Sequence, residues 1–74
     1  MSIELFSFEP RKSLRVNAVS ESLLTAYSTL VNAGVVSSIE ILGLDEKSFR
    51  KNFPSYVDKF HWKATDCTLT ILKP

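Results

Sequence analysis

The chain has 74 residues, enough for a single domain over residues 1–74, because a second hydrophobic core would need a comparable length again. Its composition, 45% apolar and 23% charged, is typical of a folded protein and excludes a disordered tail. The formal net charge of +1 excludes a strong bulk attraction to nucleic acid or to anionic lipid.

The beginning of the chain has neither the basic region nor the long apolar region of a signal peptide. No apolar run approaches the roughly 20 residues that a membrane-spanning helix needs. We therefore expect a cytoplasmic protein without a membrane partner.

The first predicted element is a strand, because aromatic and branched residues fill positions 3–8. Pro10 favours a turn after it, since proline fixes its own φ and has no backbone N–H to donate. Leu14 and Val16 then alternate with polar residues. This pattern predicts a β-hairpin over residues 2–17.

A central amphipathic helix is predicted over residues 20–33. Ser20 is a favourable N-cap residue, and Gly34 suits the position just beyond the helix end. Between them, apolar residues recur at helical spacing at Leu23, Tyr27, Leu30 and Val31.

Residues 35–42 have two interpretations. The branched residues Val35, Ile39 and Ile41 fit a buried strand, whereas the spacing of Val35, Ile39 and Leu42 fits a short amphipathic helix. Periodicity alone does not assign a run of this length, so both interpretations stay open. The functional interpretation depends on which of them holds.

A second, short helix is predicted over residues 45–53. Asp45 is its N-cap and Phe49 points inward. Pro54 ends it, because the residue before a proline is disfavoured in the helical region. Glu46 can pair with Arg50 one turn later.

The C-terminal part is predicted to be a hairpin, with a final strand over residues 67–72. Apolar and polar residues alternate on both sides of a turn at Thr65-Asp66. The apolar positions are Phe60, Trp62 and Ala64 before the turn, and Cys67, Leu69 and Ile71 after it. The elements together predict a small α+β domain, with a winged helix-turn-helix as the alternative.

The inventory of reactive residues argues against an enzyme. The only histidine, His61, is expected at a surface or rim position, and the only cysteine, Cys67, is expected as a buried structural thiol. A lone Cys also excludes a scaffold held by an intramolecular disulfide. We therefore predict no catalytic residue, no metal site and no cofactor.

The segment 35–53 resembles the helix-turn-helix motif of DNA-binding regulators. Gly43 stands at the position of the turn, the apolar Leu44 follows it, and Phe49 matches the core anchor of the second helix. The resemblance implies that DNA is bound by Lys47, Ser48, Arg50 and Lys51, with Lys63 as a wing contact.

The charge distribution is compatible with this implication. Residues 47–63 hold five basic residues and one acid, a local net charge of +4. In the alternative interpretation, the residues from Asp45 to Phe53 form a solvated helix whose charges provide solubility.

The rival function is a protein-binding module, such as an inhibitor or adaptor. Aromatic residues make up 11% of a domain with a small interior, and some of them are expected in an interaction patch. The edge strands at either terminus could also pair with a partner sheet or with a copy of the chain, which would give a homodimer. The sequence therefore predicts a small non-enzymatic regulatory binding protein, with DNA or another protein as its ligand.

Overall fold

The computed structural model describes residues 13–74, which form a layer of two α-helices against a four-stranded mixed sheet. In chain order the elements are β1 (Ser13–Val16), α1 (Glu21–Asn32), β2 (Ser38–Leu42), α2 (Glu46–Asn52), a 3-10 helix (Pro54–Tyr56), β3 (His61–Thr65) and β4 (Thr68–Leu72). The predicted α+β class, both helices and the C-terminal hairpin are confirmed. The predicted strand at 3–8 and the turn after it lie outside the described residues.

The strands lie in the order β1-β2-β4-β3. β1 is parallel to β2, and α1 is the crossover between them, because two parallel strands cannot be joined by a tight turn. β4 pairs antiparallel with β2 on one side and with β3 on the other, so the prediction that the C-terminal strand is an edge strand is wrong. β1 and β3 are therefore the outer strands of the sheet formed by residues 13–74.

The ambiguous segment is a strand, β2. Ile39 and Ile41 are both 0% exposed, whereas Ser38 before them and Glu40 between them are partly exposed, which is the period of two that a strand produces. Its backbone is paired on both sides, with β1 and with β4. The element directly before Gly43 is this strand and not a positioning helix, so the helix-turn-helix prediction for 35–53 and the winged-helix alternative are wrong.

One apolar core fills the space between the helices and one face of the sheet. The β2–β4 register places Ile39 opposite Ile71 and Ile41 opposite Leu69, and all four side chains are 0% exposed. Both helices contribute to the same core, so both lie on the same face of the sheet. The helical and loop residues of the core are Leu24, Tyr27, Val31, Leu44 and Phe49.

Local sequence signals set the ends of α1. The Ser20 hydroxyl accepts a hydrogen bond from the backbone N–H of Leu23 at 3.2 Å. At the other end, Gly34 has a φ of +79°, a left-handed conformation that glycine adopts without strain. The N–H groups of Gly34 and Val35 donate to the carbonyls of Val31 and Leu30, which is the hydrogen-bond pattern of a Schellman motif.

The hairpin turn between β3 and β4 contains a strained residue. Asp66, the first of the two turn residues, has a φ of +53°, a region that costs a side-chain-bearing residue about 1–2 kcal/mol. We expect Asp66→Gly to raise the free energy of unfolding by up to about 1 kcal/mol, because glycine adopts this conformation without the steric cost. Urea titration measures the change. The matched variant Asp66→Val should lower stability, and equal stability of both variants would contradict the prediction.

Candidate functional site

Five rings lie together where α2 and the 3-10 helix pack against β3. We call them the aromatic cluster: Phe49, Phe53, Tyr56, Phe60 and Trp62. Phe49 is 0% exposed, whereas the other four rings are partly exposed. The cluster therefore joins the core to the surface beside β3.

Phe49 is the centre of the cluster. Its ring centroid lies 4.9 Å from that of Trp62 in an edge-to-face arrangement, 6.0 Å from Phe60 and 6.3 Å from Phe53. Aromatic pairs at such separations are favourable beyond the area they bury. The contact between Phe49 and Trp62 thus holds α2 against β3.

Two further contacts fix Trp62. Its indole N–H donates to the carbonyl of Val57 at 2.9 Å. The Arg50 guanidinium lies over its ring, 5.2 Å from the centroid, and also donates to the Glu46 carboxylate at 2.8 Å. Both partners of this ion pair are about half exposed, so the pair adds little stability.

Tyr56 occupies the far end of the cluster. The Lys59 ammonium lies 5.3 Å from the centroid of its ring, and its hydroxyl is 3.2 Å from the Thr25 hydroxyl on α1. Two of the partly exposed rings thus carry a cation on one face.

The backbone of β3 has hydrogen-bonding groups that point away from the sheet. A two-residue turn makes Thr65 and Thr68 a hydrogen-bonded pair, and the register then makes Lys63 and His61 the other residues of β3 that bond to β4. The N–H and C=O groups of Trp62 and Ala64 therefore point outward. Among residues 13–74 no strand pairs with this side of β3.

The face of the sheet away from the helices is mostly polar, with Leu42 and Leu72 as the apolar residues of its described strands. Arg15 and Glu40 are partners in the β1–β2 register and form an ion pair at 3.0 Å. The same row continues through Thr70 to Lys63 on β3. Lys63 is exposed, and the described residues give it no ion pair.

The structure places the five residues predicted to bind DNA on two different sides of the sheet. Lys47, Ser48, Arg50 and Lys51 are on α2, on the helical side of the sheet, and Lys47 and Lys51 are exposed. Lys63 is on the opposite face of the sheet, because it alternates with Trp62, which packs on Phe49. The structure therefore does not bring Lys63 together with the α2 residues.

Of the two residues considered for chemistry, His61 is exposed, as predicted. Cys67 is exposed rather than buried, because it occupies the hairpin turn instead of the first position of a strand. Within the described part of the chain, no group of three or more His, Cys, Asp or Glu residues could hold a metal ion. Neither helix described here is long and apolar enough to cross a membrane.

No family model, curated protein or solved structure matches this chain.

The outer side of β3 was not identifiable as a site from the sequence. The alternation around Trp62 predicted a strand there, but strand order in a sheet has no local sequence signal. The one indication was Lys63 in the middle of the strand, since lysine is common on outer strands.

Phe49 should be the most costly ring of the cluster to truncate. We expect Phe49→Ala to lower the free energy of unfolding by about 3–5 kcal/mol, because it empties a fully buried position between α2 and β3. Trp62, the only tryptophan, provides a fluorescence signal for urea unfolding. The partly exposed Phe53→Ala is the control and should cost less. An equal loss in both variants would show that the cluster does not depend on Phe49.

The N-cap of α2 should make stability depend on pH in the acid range. The Asp45 carboxylate accepts a hydrogen bond from the backbone N–H of Ser48 at 2.8 Å. This bond lowers the pKa of Asp45 from its ordinary value of 3.8, and a hydrogen bond with the Ser48 hydroxyl and the charge of Lys47 lower it further, in that order. A pKa lowered by folding stabilises the native state above pH 3.8, and this contribution is lost as the pH falls through the lowered pKa.

We therefore expect Asp45→Asn, which keeps a capping side chain without the charge, to remove part of the loss of stability on acidification. Urea unfolding at a series of pH values measures this. Ser48→Ala is the control, because it keeps the backbone N–H and should retain most of the dependence. Identical acid profiles for Asp45→Asn and the unchanged protein would refute the assignment to Asp45.

Proposed function

We propose that this protein is a non-enzymatic protein-binding module, a regulator or adaptor, which binds an extended segment of its partner along the outer side of β3. The partner segment adds a strand to the sheet. Main-chain hydrogen bonds then provide affinity, and side chains of the partner contact the aromatic cluster.

The observation that supports this proposal is the coincidence of two features at β3. The outward N–H and C=O groups of Trp62 and Ala64 offer four main-chain hydrogen bonds. The partly exposed rings of the aromatic cluster lie on the helical side of the same strand. Aromatic side chains are enriched among the residues that dominate protein interfaces. β1, the other outer strand of the described sheet, has no such cluster beside it.

DNA binding stays a prediction from the sequence, but the helix pair on which that prediction was based is absent, because residues 38–42 form a strand. Arg50, one of its proposed contacts, is paired with Glu46 and lies on Trp62. Ser48 lies in the first turn of α2, where its backbone N–H donates to the N-cap Asp45. The aromatic and main-chain groups beside β3 therefore favour a protein ligand.

A single substitution separates strand addition from other modes of binding. In Ala64→Pro the outward N–H is replaced by the proline ring, while the hydrogen bonds from β3 to β4 remain. The probes are short peptides selected from a random display library on the unchanged protein. We expect them to bind Ala64→Ser, which keeps the N–H, at least tenfold more tightly than Ala64→Pro. Fluorescence anisotropy measures both affinities.

Amide hydrogen exchange provides the second measurement. On peptide binding, the N–H groups of Trp62 and Ala64 should become protected, because they acquire hydrogen-bond partners. Two sets of peptides, each methylated on every second backbone nitrogen, extend the test to the unchanged protein. Only the set whose methylated nitrogens face β3 should lose binding. Equal binding to Ala64→Pro and Ala64→Ser, with both folded, would refute strand addition.

The same protein should be titrated with duplex DNA at low salt. Binding that weakens steeply as salt rises, with no selection of peptides, would favour the DNA prediction instead.

A further inference from the structure

Resting on the proposed function, we infer that the partner segment alternates apolar and acidic residues, with an acidic side chain directly opposite Lys63. The inference concerns the chemistry of the partner rather than the mode of binding. It follows from which side chain of β3 lies on which face of the sheet.

In an added strand, successive side chains would point to opposite faces of the sheet, as those of β3 do. Its residues opposite Trp62 and Ala64 would lie on the helical side, because side chains of paired residues share a face. There they would meet the partly exposed rings of Trp62 and Phe60. Apolar side chains suit these two positions, since they would bury aromatic surface.

The residue between them would lie opposite Lys63, on the other face. Lys63 is exposed, and its cross-strand neighbour on β4 is the uncharged Thr70. Opposite charges in directly paired residues are favourable, and like charges are unfavourable. A glutamate or aspartate at this position would therefore pair with Lys63.

The residues around Lys63 also carry a net positive charge. Residues 45–63, which include α2, the aromatic cluster and the first half of β3, hold five basic residues and three acids, a net charge of +2. Glu46 neutralises Arg50, but Lys47, Lys51 and Lys59 have no ion pair among the described residues. This field attracts an acidic segment and speeds its association.

A second copy of the chain is a poor occupant. The antiparallel register that would pair all five residues of one β3 with those of another places the two Lys63 side chains opposite each other. A lysine in the middle of an outer strand is a common device against self-association.

The test uses three synthetic peptides with the same apolar residues and with glutamate, glutamine or lysine at the alternate positions. We expect the glutamate peptide to bind the unchanged protein about tenfold more tightly than the lysine peptide, with glutamine between them. Lys63→Glu should reverse this order. Lys63→Gln, the matched neutral variant, should reduce the difference without reversing it. Fluorescence anisotropy at low and at physiological salt gives the affinities.

The outcomes separate this inference from the proposed function. If all three peptides bind Lys63→Glu and the unchanged protein equally but fail to bind Ala64→Pro, strand addition stands and the acidic partner is refuted. If Ala64→Pro binds the peptides as tightly as Ala64→Ser does, both strand addition and the acidic partner are refuted. A dimer of the unchanged protein that Ala64→Pro abolishes would make a second copy the occupant and would also refute the inference.

Discussion

The pairing of β2 with β4 is the constraint on which the rest of the structure depends. It places four fully buried branched side chains on one face of the sheet, opposite each other in two pairs. Both helices pack on that face, and each outer strand is attached to one member of the pair. Because these positions exclude water completely, loss of the pair would remove the core and both sides of the sheet together.

The position of Phe49 connects this core to the proposed site. Its ring is fully buried, yet it contacts three rings that are partly exposed. A buried support of this kind fixes the positions of Trp62 and Phe60. In the proposed strand addition, such preorganisation would lower the entropic cost of binding a segment that must itself become ordered.

Of the two structures that the sequence leaves open for residues 35–42, the protein forms the strand, and this removes the helix pair that DNA binding requires. In the second half of the segment 35–53 the predicted helix is present, since Asp45 caps it and Phe49 is its core anchor. In its first half, a short run of branched residues fits either structure, and only the hydrogen bonds to β1 and β4 select the strand. The basic side chains of α2 then lose the framework that would present them to a DNA groove.

The sequence by itself determined the elements with strong local signals. Ser20, Gly34, Asp45 and Pro54 set helix ends through hydrogen bonding and backbone conformation, and alternation around Trp62 set a strand. Only the tertiary structure decided that residues 38–42 are a strand, that Cys67 is exposed in a turn, and that β3 is an outer strand with its lysine and its tryptophan on opposite faces. These features depend on contacts between residues far apart in the chain, and such contacts have no signature in a local pattern of residues.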